Sequence, residues 1–144
     1  MSTSDLEASF LATTYCVEGH GERFDLRIGE PHPSFASWLD DEDASSWAII
    51  TACNPGGMPT PLQNAARNEA LRKSIETLGW RYVPARNHAD GGRWPDEPGF
   101  CIFDAPESQV CALAAGFGQA AIIVGSNGKA SGTLVWIDSG KLRD

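Results

Sequence analysis

A chain of 144 residues and 15.4 kDa has the length of one domain, and its 42% apolar and 21% charged residues sit near the globular average. That balance excludes a wholly disordered chain, and no apolar stretch comes near the roughly 20 residues that a membrane-spanning helix needs. A formal net charge of −8 repels phosphate backbones, so general nucleic-acid binding is not expected.

The first ten residues, MSTSDLEASF, carry acid where a secretory leader would carry positive charge, and no apolar run follows. A cytoplasmic location is the expectation. Cys16, Cys53, Cys101 and Cys111 form no C-x-x-C pair and each lies among apolar neighbours, which suits small core residues better than a disulfide framework. His20, His32 and His88 fall singly, without metal-ligand spacing, so neither a metal nor a cofactor is expected.

In chain order, residues 3–10 predict a short helix with Ser4 as its cap. Thr13 to Val17 and Phe24 to Ile28 predict two strands, joined as a hairpin through Gly19-His20-Gly21. Phe24, Leu26 and Ile28 alternate with Asp25 and Arg27, the period of a strand with one wet face. Ser34 to Leu39 predict a short helix that ends in the acidic run Asp40, Asp41, Glu42 and Asp43. Trp47 to Cys53 is almost continuously apolar and rich in β-branched residues, so it belongs inside a sheet, covered on both faces.

Thr60 then caps a helix that starts at Pro61, has Gln63 to complete a capping box and closes at Gly79. Arg81 to Pro84 predict a strand whose terminal proline suits an edge. Arg86 to Pro98 is read as a loop around the Asp90-Gly91-Gly92 bend. Phe100 to Phe103 (strand), Glu107 to Phe117 (helix), Ala120 to Val124 (buried strand) and Thr133 to Ile137 (strand) complete the pattern, the last two strands forming a hairpin at Asn127-Gly128. The sum is a single globular α+β domain over residues 1–144: a mixed β-sheet with helices packed on it.

A site is predicted where the strand at Cys53 runs through Asn54-Pro-Gly56-Gly57 into the next helix. Backbone N–H groups at a helix start favour an anion, and glycine permits close approach. At about 100° of rotation per residue, Asn64 and Arg67 share the inward sector of that helix with Leu71, Ile75 and Leu78. Polar side chains so placed need partners, either a ligand or a carboxylate such as Glu97. Neither a phosphate-loop nor a dinucleotide fingerprint is present. Trp94 and Glu97, separated by Pro95-Asp96 in a proline-flanked stretch, offer an aromatic wall and a carboxylate, and Gln119 stands at the start of a buried strand.

These residues carry a resemblance. "ITACNP" followed by N-x-x-R at Asn64 to Arg67, "W-P-x-E-P-G-F" from Trp94 and "F-G-Q-A-A-I" from Phe117 resemble an uncharacterised bacterial family, the domain of unknown function numbered 3293, over about residues 12–137. The resemblance implies a small, single-domain, cytoplasmic bacterial protein and supplies no activity, cofactor or catalytic residue.

The functional expectation is therefore a small anionic or nucleotide-like ligand, held by Arg67 and the amides of Gly56 and Gly57 and oriented by Asn54 and Asn64. Trp94 would stack on it, Gln119 would stand at its rim, and Glu97 would handle a proton in hydrolysis or group transfer. The alternative is a protein–protein role of inhibitor or immunity type, with the acidic surface at Asp40 to Asp43 against a basic partner.

Overall fold

The computed structural model describes residues 3–53, 59–92, 94–127 and 131–137. The described elements are α1 (Thr3–Leu11), β1 (Thr13–Gly19), β2 (Glu22–Leu26), α2 (Pro33–Asp41), β3 (Ser46–Thr51) and α3 (Pro61–Thr77). They continue with β4 (Arg81–Ala89), β5 (Glu97–Phe103), α4 (Glu107–Gly116), β6 (Ala121–Ser126) and β7 (Thr133–Trp136). The strands form one curled sheet in the order β2-β1-β4-β5-β3-β6-β7. The α+β domain with helices packed on a sheet is as expected, but all six pairings are antiparallel, so each strand runs opposite to its neighbours and the sheet is not mixed.

Helices cover both faces. On one, α2 sets Phe35, Trp38 and Leu39 against Tyr15, Val17, Phe24, Val83, Cys101 and Phe103, and Phe10 of α1 packs onto the same cluster. On the other, Leu71 and Ile75 of α3 and Val110 and Ala114 of α4 pack on Ala48, Ile50, Phe100, Ile102 and Ile122. Alternation along β3 feeds both clusters, which is why that strand reads as continuously apolar. Leu71 and Ile75 are wholly buried, each stabilising the fold by about 1.5–3 kcal/mol. Leu78, expected on the same face, is half exposed because it is already the C-cap of α3.

Local signals place most ends. The Thr60–Gln63 capping box is formed in both directions, with Gln63 N donating to Thr60 Oγ1 (3.1 Å) and Thr60 N to Gln63 Oε1 (2.8 Å). Gly79 follows the helix at φ 78°. His20 and Gly21, at φ 50° and 88°, make a two-residue turn between β1 and β2 with both residues left-handed, as a type I′ hairpin requires. Ser4 lies inside α1 and not at its cap. The β6–β7 hairpin is present, its pairing ending at Val124↔Thr133, and Gly128 lies outside the described residues.

Two expectations change around β4. It is an interior strand, not an edge, between β1 and β5. Pro84 pairs with Phe100 of β5 and lies one residue beyond the end of the β1 ladder at Val17↔Ala85, so on its β1 side it interrupts no pairing. The stretch read as a loop from Arg86 is strand through Ala89, and β5 begins at Glu97; the turn between them is correspondingly short. Arg86, Asn87 and His88 form poor strands by composition, yet pairing on both sides holds Arg86 and Asn87 in the sheet.

Candidate functional site

At the end of the sheet where β3 and β4 finish and β5 begins, register builds a polar row. Tyr15 pairs with Asn87 and Asn87 with Glu97, while Thr51 pairs with Gly99, so Cys53, two residues on, lies level with Glu97. Val83 and Ala85 precede Asn87 on the inward side of β4. The row therefore crosses the same face that carries the α2 cluster, and α1 roofs it.

Two cavities meet there. An inner one of about 340 Å³ is lined by Tyr15, Thr51, Asn87 and Gln119 among others, and an outer one of about 570 Å³ by Asn64, Trp94, Pro95 and Asp96. Leu6, Cys53 and Glu97 line both. Hence three predicted residues, Asn64, Trp94 and Glu97, come together on one outer cavity, and Gln119 reaches the inner cavity behind them. Trp94 is exposed, its ring at the mouth.

Arg67 is not part of either lining. Its Nε donates to Ala52 O at 2.7 Å, its other arm donates to Phe117 O, and its guanidinium carbon stands 5.6 Å from the centre of the Phe117 ring. The inward-facing cation is thus held by carbonyls at the end of β3 and just after α4, and not by Glu97. Gln119 is a second strut: its Nε2 donates to Cys53 O (3.1 Å) and Phe117 O (3.4 Å). Asn54, Gly56 and Gly57 lie outside the described residues.

The hydroxyls are committed as donors. Tyr15 Oη donates to Phe10 O at 3.2 Å, tying the floor to α1, and Thr51 Oγ1 donates to Pro98 O at 2.8 Å while accepting from Cys53 N at 3.1 Å. Burial pushes the Tyr15 phenol above its ordinary range, against a smaller lowering by Thr13, and the nearby Glu97 charge adds to the rise. Burial likewise raises Cys53, against Thr51 and Arg67, with Glu97 again adding. Cys53 is therefore a neutral thiol beside Pro98 O (3.7 Å), not an activated nucleophile.

Asp96, given no role by its sequence context, anchors the β4–β5 turn through Arg86 Nε (2.9 Å) and His88 Nδ1 (2.7 Å). The acidic run closes α2: Asp40 accepts from Asn127, Glu42 meets His20 at 3.2 Å, and Arg81 donates to the Glu42 and Asp43 carbonyls. Among the described residues no helix is long and apolar enough to cross a membrane.

A family model described as "Protein of unknown function (DUF3293)" matches residues 50–122, just over half of the chain. The chain belongs to the DUF3293 family. No curated protein and no solved structure matches it. The DUF3293 segment runs from β3 into β6 and supplies Thr51, Cys53, Asn64, Asn87, Trp94, Glu97 and Gln119; Tyr15 and the α1 roof lie before it. Sequence reasoning missed Tyr15, Thr51, Asn87 and Cys53. The available signal was Asn87, a polar residue continuing the inward alternation of Val83 and Ala85, and it was hidden by reading Arg86 onward as loop.

Proposed function

We propose that this DUF3293 protein binds a small organic molecule in the two joined cavities, with Trp94 at the mouth and Glu97 at the junction. What carries this reading is the continuity of the cavities through Leu6, Cys53 and Glu97, together with the polar row that floors the inner one. Small-molecule sites are typically concave, mostly apolar and furnished with a few converging polar groups. Glu97 is the carboxylate common to both linings, and on this reading it is the general base for hydrolysis or group transfer.

The anionic or nucleotide-like ligand expected from sequence draws little support from this lining. Among the described residues no lysine or arginine lines either cavity, and Arg67 is occupied with carbonyls. A thermal-shift screen of nucleotides, phosphorylated metabolites, neutral aromatics and amines tests the site. The expected result is stabilisation of the wild type by at least one class, and loss of that stabilisation in Trp94→Ala. If no small molecule acts at millimolar concentration while a basic protein does, the acidic-surface role replaces this one.

A further inference from the structure

One side chain of the inner cavity has no task in the fold. Asn87 continues the inward alternation of Val83 and Ala85, both of which are buried and apolar. Asparagine is a poor strand former, and backbone pairing with Tyr15 and Glu97 on either side keeps Asn87 in β4. Its half-buried carboxamide meets no hydrogen-bond partner among the described residues, so it ties neither strand to strand nor sheet to α1. An amide drawn out of water without a partner costs free energy that an apolar residue in its place would not.

The neighbouring side chains have their protons placed. Tyr15 Oη donates to Phe10 O, Thr51 Oγ1 and the Cys53 thiol to Pro98 O, and Gln119 Nε2 to Cys53 O. Among the described side chains of the inner cavity, Asn87 alone therefore brings N–H donors not already used, and it brings a carbonyl oxygen beside them. Such an edge is matched in full by a group that carries an N–H and a carbonyl side by side, because two parallel hydrogen bonds then form. A carboxylate or phosphate offers acceptors only and an ammonium donors only, so each uses half of it.

Asn87 pairs with Glu97, which lines both cavities, so a group on the Asn87 edge lies beside their junction. Beyond the junction the outer cavity is walled by the Trp94 indole and by Pro59, Pro61, Pro95 and Pro98. Ring faces of this kind favour a flat apolar body, and a cavity of about 570 Å³ has room for two fused rings. Resting on the small-molecule reading above, we propose that the ligand is an uncharged planar heterocycle with a ring N–H next to a ring carbonyl, a cyclic amide. Its amide edge meets the Asn87 carboxamide, and its rings lie against Trp94 and the prolines.

Matched pairs decide it: quinolin-2-one and isoquinolin-1-one, each against its N-methyl derivative, with 2-naphthoate and 2-naphthylmethylamine as charged comparators. Affinities come from calorimetry, and amide chemical-shift changes locate the binding. Each N–H compound is expected to bind at least tenfold more tightly than its N-methyl partner, with shifts clustered on β4, β5 and Trp94. Asn87→Val should bring the N–H compound down to the level of its partner while leaving the partner's affinity unchanged, and Trp94→Ala should weaken both by a similar factor. Asn87→Val should also unfold at an equal or higher urea concentration than the wild type; a lower midpoint gives the amide a structural task and overturns its assignment to a ligand. Equal affinities within each pair, or tighter binding of a charged comparator in the same cavities, overturn the cyclic amide and leave the small-molecule site standing. The wild-type pairs give that answer even if a variant fails to fold. Binding by no member of this panel overturns the cyclic amide alone where the broader thermal-shift screen finds a ligand, and both readings where it finds none.

Discussion

Arg67 shows how far a residue can be read in isolation. Helical spacing put its side chain inward and physical chemistry demanded a partner, and both inferences hold. The partner's identity was out of reach because it is two backbone carbonyls, 15 and 50 residues away, and every residue has a carbonyl. Arg67→Ala leaves the acceptor on wholly buried Ala52 unmet and should lower unfolding free energy in urea by about 2–3 kcal/mol. Arg67→Lys should recover less than half, since a point-like ammonium cannot bridge both carbonyls as a guanidinium fork does. Asp104 makes the corresponding case for an acid. Burial would raise its carboxyl, but the Ser45 and Ser46 N–H groups (2.8 and 3.0 Å) and Arg81 (2.9 Å) outweigh burial and hold it below the usual range. A carboxyl depressed in the folded state contributes stability in full above its unfolded pKa of about 3.9, and loses it as pH falls through the folded value. Asp104 is partly exposed, so solvent screening limits Asp104→Asn to a cost of about 0.5–1 kcal/mol at pH 7. Asparagine also tolerates the left-handed backbone at φ 58°. In denaturation curves recorded from pH 7 to 2, the gap between wild type and variant should close toward the acid end.

Elements were legible where local chemistry specifies them. Helix α3 is the clearest: Pro61 at its first turn, the reciprocal Thr60–Gln63 bonds and Gly79 after its end all act within a few residues of one another. Thr60→Ala removes the acceptor for Gln63 N and should cost about 1 kcal/mol, readable as a lower urea midpoint with unchanged slope. Because α3 presents Asn64 to the outer cavity only three residues after Pro61, the same variant should also weaken any ligand that stabilises the wild type. Strand β4 was misjudged for the opposite reason. Its far half is polar, and only pairing with β1 and β5 keeps it extended, so its length depends on residues 13–17 and 97–103, not on its own composition. The polar row depends on the same pairing: Tyr15, Asn87 and Glu97 are 72 and 10 residues apart in the chain, and nothing short of the register places them side by side.

For the whole molecule, the four cysteines report how the sheet holds together. All four are free, as their isolated apolar contexts suggested, and they sample different depths. Cys101 is wholly buried in the central strand, and Cys53 is almost as buried but stands at the cavity end. Cys16 is covered on the charged side of β1 by Arg23, whose NH2 lies 3.4 Å from its sulfur, and Cys111 is half-buried on α4. Burial raises every one of these thiols, so reagent access, not thiolate chemistry, sets the order of reaction. Where a thiol is shielded by local packing it reacts through local opening, and where it is shielded by the central sheet it reacts only on global unfolding. Native-state labelling followed by mass spectrometry should therefore modify Cys111 first and Cys101 last, with the Cys101 rate falling in step with global stability as denaturant is removed. Cys53 should fall between them, because opening of α1 uncovers the cavity without separating β3 from β5. A small molecule seated there should slow Cys53 selectively, by up to the factor 1 + [L]/Kd, while Cys111 is unaffected. Equal rates for Cys53 and Cys101 would mean that the cavity end opens only with the entire sheet, and that a ligand reaches the polar row through the Trp94 mouth with α1 in place.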